Sequence, residues 1–184
     1  MKVNKIRYFE TELFSVRKLE QNDLPSFHEM QGNEQVMKYT TGKATTLEED
    51  KADLKKVIGH YSEVNNQFWV WAIERKNDQS FLGTCALVGD GKGTYEIGFR
   101  FLEKYWGKGY GKEICNELID YAFCQKEVKN IIAYVDVKNI GSVKILDQSK
   151  LAFIKEIPGP KAGSTDRFYK MEIMDEGEEI VIED

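Results

Sequence analysis

A glycine-rich turn constrains this chain more than any other stretch. Gly107-Lys108-Gly109-Tyr110-Gly111 stands between an alternating segment and an amphipathic one. Upstream, Tyr95, Ile97, Phe99 and Phe101 alternate with Glu96, Gly98 and Arg100, the period of a β-strand. Downstream, Ile114, Cys115, Leu118, Ile119 and Ala122 fall on one side of a helix expected over 112–123. Strand, turn and helix start together make an anion cradle. The first helical turn leaves its N–H groups free, the helix dipole favours negative charge, and glycines allow close approach and positive φ.

The turn fits neither common nucleotide pattern. A P-loop needs four residues between its first Gly and a Gly-Lys-Ser/Thr ending. Here only Lys108 separates Gly107 from Gly109, and no Ser or Thr follows Lys112. The G-x-G-x-x-G pattern also fails, because Gly111 comes one residue early. A glycine that serves only a tight β-α bend is the alternative to an anion site.

The segments around the turn set the fold class. A first strand is expected over 13–19. A short helix follows near Pro25, with Asn22 and Asp23 as candidate N-caps and His28 as a partly buried packing residue. Asn33 to Met37 reads as one more capped turn. Thr46 and Glu49 form a capping box that opens a helix to about residue 63, with Leu47, Leu54, Val57, Ile58 and Tyr61 as its apolar stripe. Strands at 68–74, 81–88 and 94–101, joined by short Asn/Asp/Gly turns, read as an antiparallel meander. The glycines of the 89–93 turn therefore serve a hairpin. After the cradle helix come a strand at 130–137 dense in β-branched residues, a helix from about 140 to 149, and strands at 151–156 and 167–173. The expectation is a mixed α/β fold with a mostly antiparallel central sheet flanked by helices. One domain covers residues 1–174, followed by an acidic tail, 175–184, in which Ile180-Val181-Ile182 offers a short strand.

Composition narrows the classes. With 26 Lys plus Arg against 31 Asp plus Glu, the net charge is −5, which argues against nucleic acid as partner and for cationic ligands. No apolar run reaches a membrane span, and the first residues carry no signal-peptide core, so a cytoplasmic protein without membrane attachment is expected. Cys85, Cys115 and Cys124 cannot all pair and match no zinc spacing; with only His28 and His60 beside them, no metal site is expected. They read as reduced core thiols.

The wording around the turn closely resembles motif A of the GNAT N-acetyltransferase superfamily, Q/R-x-x-G-x-G/A, with Gly109 and Gly111 at its small positions. Trp106 stands where that pattern has Gln or Arg. The string from Glu96 to Glu113 is closer still to the branch that acetylates ribosomal-protein N-termini, the RimJ/RimL type. Val135 to Leu146 resembles the family's second CoA motif, and the resemblance spans roughly residues 13–173.

The resemblance implies a GNAT fold with splayed fourth and fifth strands, here 94–101 and 130–137, and acetyl-CoA as cosubstrate. The backbone of Phe99, Arg100 and Phe101 would hold pantetheine. The N–H groups of Trp106, Gly107, Lys108, Gly109, Tyr110, Gly111 and Lys112 would hold the pyrophosphate, and Asn139 would bond the pantetheine arm. Lys108 and Lys112 read equally well as phosphate partners or as solvated lysines. Glu96 would be the general base; its alternative is a surface carboxylate paired with Arg100. Leu146 stands where many relatives carry the acid tyrosine, which leaves Ser142 as the nearest hydroxyl for the sulfur, or else as an N-cap. Tyr169 is a weaker candidate.

The function implied is transfer of an acetyl group to a primary amine on a peptide or protein N-terminus, by a monomer or homodimer. The alternatives are a polyamine or aminoglycoside acceptor, an acyl-CoA-binding module without catalysis, and nucleotide binding. The loops at 39–44 and 158–166 are expected to choose the acceptor, with Glu48, Glu49 and Asp50 as a negative rim.

Overall fold

The alternating segments pair into one sheet. The structure is a computed structural model that describes residues 7–125 and 127–172. Its strands are β1 (Arg7–Glu10), β2 (Phe14–Lys18), β3 (Phe68–Arg75), β4 (Phe81–Gly89), β5 (Thr94–Phe101), β6 (Asn130–Asp136), β7 (Ala152–Pro158) and β8 (Thr165–Glu172). Their order is β1-β2-β3-β4-β5-β6-β8-β7. Every neighbouring pair is antiparallel except β5 with β6. The short edge strand β1 was not expected from sequence, so the expected fourth and fifth strands are β5 and β6. The acidic tail and its Ile180-Val181-Ile182 segment lie outside the described residues.

Helices α1 (Leu24–Gln31), α2 (Glu34–Met37) and α3 (Leu47–His60) cover one face of the sheet; α4 (Tyr110–Phe123) and α5 (Ile140–Asp147) cover the other. This explains β3, whose run Phe68-Trp69-Val70-Trp71-Ala72-Ile73 is apolar on both parities. Trp71 and Ile73 pack with α4, while Val70 and Ala72 pack with α1 and α3. Leu118 of α4 and Leu54 of α3 are fully buried, and each such side chain stabilises the fold by about 1.5–3 kcal/mol.

Several polar residues serve ends other than those expected. Thr46 and Glu49 do form a reciprocal capping box, and Asn33 caps α2. Asp23, however, makes no side-chain cap on α1. Its carboxylate accepts from Arg17 Nη1 and Nη2, each at 2.8 Å, while Arg17 Nε donates to Glu74 at 2.6 Å. These three charged side chains are buried between β2, β3 and the turn before α1. Leu47 does not join the apolar stripe of α3: at the first position of the helix it is 47% exposed. Tyr61 follows the last turn, where its hydroxyl accepts from the Leu19 N–H and donates to the Val70 carbonyl. Cys85 and Cys115 are buried, with thiol pKa values raised by burial (Cys115 to about 12), but Cys124 is exposed and is not a core thiol.

Candidate functional site at the fork between β5 and β6

The β5–β6 ladder is short. Thr94 pairs with Asn130, Tyr95 with Ile131 and Glu96 with Ile132, and there it stops. From Ile97 onward β5 keeps β4 on one side and has no strand partner on the other, while β6 continues along β8. The two strands therefore part at Glu96 and leave a wedge open between them. An exposed edge of this kind pairs readily with an amide-bearing chain.

The backbone of β5 uses this edge unevenly. A Cβ on Gly83 of β4 would fall on the Arg100 carbonyl oxygen, so that carbonyl faces β4. By the alternation of strand backbone, Phe99 and Phe101 are the residues that face the wedge. The Phe101 carbonyl is already taken there by the Trp106 indole N–H at 3.0 Å. Of the three backbone positions expected to hold pantetheine, Phe99 is the one both turned to the wedge and open; the Arg100 carbonyl is turned away.

The cradle closes one side of the wedge. Gly107 and Gly109 sit at φ +72° and +82°, where an L side chain is strained, and Gly109 is the N-cap of α4. The Trp106 N–H bonds Glu103 O and the Lys112 N–H bonds Gly109 O, so these two donors are spent within the loop. The N–H groups of Gly107, Lys108, Gly109, Tyr110 and Gly111 have no partner among the described residues. Gly111 lets α4 approach α5, since a Cβ there would come within 2.6 Å of Ile145 Cδ1. The Lys108 ammonium stands 5.3 Å from the centre of the Tyr105 ring, and Lys112 is exposed.

Glu96, Gly98 and Arg100 share the opposite face of β5 from buried Tyr95 and Ile97. Glu96 reaches solvent, yet its carboxyl is pushed above the usual carboxylate range, first by desolvation and then by Asp166. Asp166 faces Asp136 across β6 and β8, and its own carboxyl is raised by burial and then by Asp136. Glu96 does not pair with Arg100, so the alternative of a simple surface ion pair falls. Arg100 Nη1 instead donates to Gln31 Oε1 at 2.9 Å and to Met37 Sδ at 3.5 Å.

Across the wedge, Asn139 caps α5, its Oδ1 accepting from the Ser142 N–H at 3.4 Å. Asn139, not Ser142, is thus the cap, and the Ser142 hydroxyl has no partner among the described residues. Leu146 is buried. Tyr169 is buried too, its hydroxyl donating to Asp147 at 2.8 Å, away from any role at the wedge.

Sequence reasoning missed the polar wall beside this site. Asp50 is fully buried and takes no part in a rim. It is bonded by His28 Nδ1 at 2.6 Å, Gln31 Nε2 at 2.9 Å and Thr45 Oγ1 at 2.6 Å. Glu49 is occupied by its capping box. The loop at 158–166 reaches the one at 39–44: Lys161 Nζ donates to Lys38 O, the residue before that loop, at 2.8 Å, and would stand 2.9 Å from a Cβ on Gly42. The Tyr39 hydroxyl donates to Lys138 O, ahead of α5, at 3.0 Å. Among the described residues no group of three or more His, Cys, Asp or Glu side chains is arranged to hold a metal, and no helix is long and apolar enough to cross a membrane.

Known proteins share the sequence pattern and the fold. Residues 14–151 match the family model described as acetyltransferase (GNAT) domain. An uncharacterized N-acetyltransferase p20 from Bacillus licheniformis is 30% identical over 148 residues, 79% of this chain and 82% of its own. Among solved structures, RimL, a ribosomal L7/L12 alpha-N-protein acetyltransferase in complex with coenzyme A, superposes with TM-score 0.77 at 13% identity, covering 91% of this chain and 98% of its own. Spermidine N-acetyltransferase from Vibrio cholerae, in complex with CoA and spermine, gives TM-score 0.74 at 17% identity over 89% and 97% of the two chains.

Proposed function

The chain belongs to the GNAT acetyltransferase family and is an acetyl-CoA-dependent N-acetyltransferase, and from that premise we propose that acetyl transfer takes place in the β5–β6 wedge, with Glu96 as base and a peptide N-terminal amine as acceptor. One observation carries the reading: the β5–β6 ladder ends at Glu96, and the open edge beyond it leads to five unpartnered N–H groups. Those residues fit the cosubstrate. Gly107 to Gly111 supply donors for its phosphates at the α4 N-terminus, the wedge-facing backbone of Phe99 supplies the pairing for an amide-bearing arm, and Asn139 retains its side-chain NH2 for the same arm. Lys108 and Lys112 add positive charge beside the cradle.

Glu96 has the position and electrostatics of a base. It stands at the apex of the wedge, and its raised pKa brings it nearer to that of the proton it must take. In this reading Glu96 removes the proton from the attacking amine, directly or through water, and the Phe99 N–H polarises the acyl carbonyl. In the same reading Ser142, whose hydroxyl has no partner among the described residues, hydrogen-bonds the departing sulfur; buried Leu146 offers no proton. The three free cysteines fit a reducing, cytoplasmic setting.

The likeness to a protein that acetylates ribosomal N-termini supports a peptide acceptor. A polyamine acceptor is the second reading, favoured by Asp136 and Asp166 on the face that carries Glu96 and by the likeness to a spermidine acetyltransferase. Release of CoA thiol from acetyl-CoA, followed over N-terminal peptides, spermidine and an aminoglycoside at two salt concentrations, separates these readings. The peptide reading predicts fastest release with peptides. Fastest release with spermidine, weakening as salt screens the acidic face, would favour the second.

A further inference from the structure

Arg100 holds a charge that the structure does not spend. Among the described residues no carboxylate lies within ion-pair distance of it, and only its Nη1 has partners, Gln31 Oε1 and Met37 Sδ. A guanidinium has five donors in a rigid fork. Burial pushes the Arg100 pKa down, and Asp53 and Asp50 offset part of this through the field alone. A half-buried guanidinium with open donors is costly unless something takes them.

The group is also held in place. Gln31 is 4% exposed, and its amide NH2 donates to both Asp50 and Asp53, at 2.9 and 3.2 Å. That fixes Oε1 as the end turned to Arg100. Asp50 in turn is locked by His28 and Thr45. The network thus runs from α3 through α1 to β5 and ends on a guanidinium with unspent donors.

Its place relative to Glu96 gives those donors a use. Glu96, Gly98 and Arg100 are on one face of β5, and a Cβ on Gly98 would meet nothing within 4 Å. The space over Gly98 is open, with a base at one end and a cation at the other, their Cα atoms roughly 13 Å apart along an extended strand. A span of that length, open over Gly98, has room for a small acceptor unit between the two groups. An amine delivered to Glu96 then places its neighbouring atoms in front of Arg100.

We propose that Arg100, positioned by Gln31, selects acceptors that carry a carbonyl or carboxylate oxygen beside the amine, as an aminoacyl unit does, over acceptors whose neighbouring group is a second ammonium. The oxygen accepts from the open guanidinium donors, and a second cation in the same place is repelled. This rests on the acetyl-transfer reading of the wedge and adds a selection rule to it.

The test uses four acceptors of one skeleton: alaninamide, alanine, isopropylamine and 1,2-diaminopropane. kcat/KM for acetyl-CoA-dependent acetylation is measured for wild type and Arg100→Met, and each acceptor is compared only with itself, so that amine basicity cancels. The expected result is a loss of roughly 10- to 100-fold for alaninamide or alanine in Arg100→Met, with isopropylamine unchanged and 1,2-diaminopropane improved. Whether alaninamide or alanine loses more tells a peptide N-terminus from a free amino acid. An equal loss with all four would make Arg100 merely structural and overturn the proposal. If no amine releases thiol, the acetyl-transfer reading fails separately. Calorimetry of alaninamide and isopropylamine with CoA-loaded protein then decides on Arg100: tighter alaninamide binding that Arg100→Met abolishes supports it, and equal binding of the two overturns it.

Discussion

Glu96 and Ile132 form the last rung between β5 and β6, and everything proposed for the site follows from where that rung lies. One residue further along β5 the strand has lost its neighbour. The base candidate is therefore also the apex of the wedge, with the open strand edge on one side and the glycine cradle beyond it.

The cradle predicts a specific loss. Gly109 lies at φ +82°, and a Cβ there would meet nothing within 4 Å, so Gly109→Val meets no clash in the fold. It does force a β-branched residue into left-handed backbone, at about 1–2 kcal/mol, and puts methyls where an anion must sit. Calorimetry should show CoA binding weakened roughly tenfold or more, with far-UV circular dichroism unchanged. Equal affinity in the folded variant would remove the cradle from the site.

Arg17 predicts a stability effect remote from the chemistry. Replacing it by Ala leaves buried Asp23 without the cation that holds it at two positions. The expected cost is about 3–5 kcal/mol in urea unfolding. A cost under about 1 kcal/mol would mean that the interior readily hydrates these carboxylates.

Gly83 predicts a local distortion with a functional readout. Ala at this position drives its methyl onto the Arg100 carbonyl, a backbone atom that cannot swing aside. The β4–β5 pairing must then shift, at about 1–3 kcal/mol. Because Arg100 and the wedge edge move with it, acceptor KM should rise as well. A Gly83→Ala protein with wild-type stability and KM would contradict the close approach of β4 to β5.

Glu96 also has a thermodynamic signature. A carboxyl whose folded pKa is raised holds its proton more tightly folded than unfolded. Its contribution to stability is full below the unfolded pKa and is lost as pH rises through the folded one. At neutral pH, Glu96→Gln should therefore melt at the same temperature as wild type or higher. A clearly lower melting temperature would assign Glu96 a stabilising ion pair.

Local signals were legible in the sequence, and contacts between distant segments were not. The alternation in 94–101, the glycine turn, the apolar side of α4 and the Thr46 capping box each depend on neighbours within a few residues, and each has its expected form. The edge strand β1 was not legible, because four residues with half-buried side chains give little alternation. Asp23 and Asp50 misled for one reason. A carboxylate next to a helix start reads as a cap or a solvated charge, while the partners that bury these two, Arg17, His28 and Gln31, come from other elements. Arg100 was placed by its backbone, and its side chain, held by a glutamine 69 positions earlier, had no local signature. The bond from Lys161 in one acceptor loop to Lys38, just ahead of the other, spans 123 positions and was equally invisible.

The pH dependence of acetyl-CoA-dependent thiol release, measured on wild type, Glu96→Gln and Asp166→Asn, tests the placement of the chemistry most directly. A base acts ionised, so wild-type kcat/KM should fall as pH drops through the raised Glu96 pKa. Asp166→Asn removes a charge that raises it and should move this acid limb to lower pH. Glu96→Gln should lose on the order of 10²–10⁴-fold at neutral pH and recover part of it in alkali, where more amine is free. Unchanged turnover in Glu96→Gln, with the same acid limb as wild type, would contradict the account.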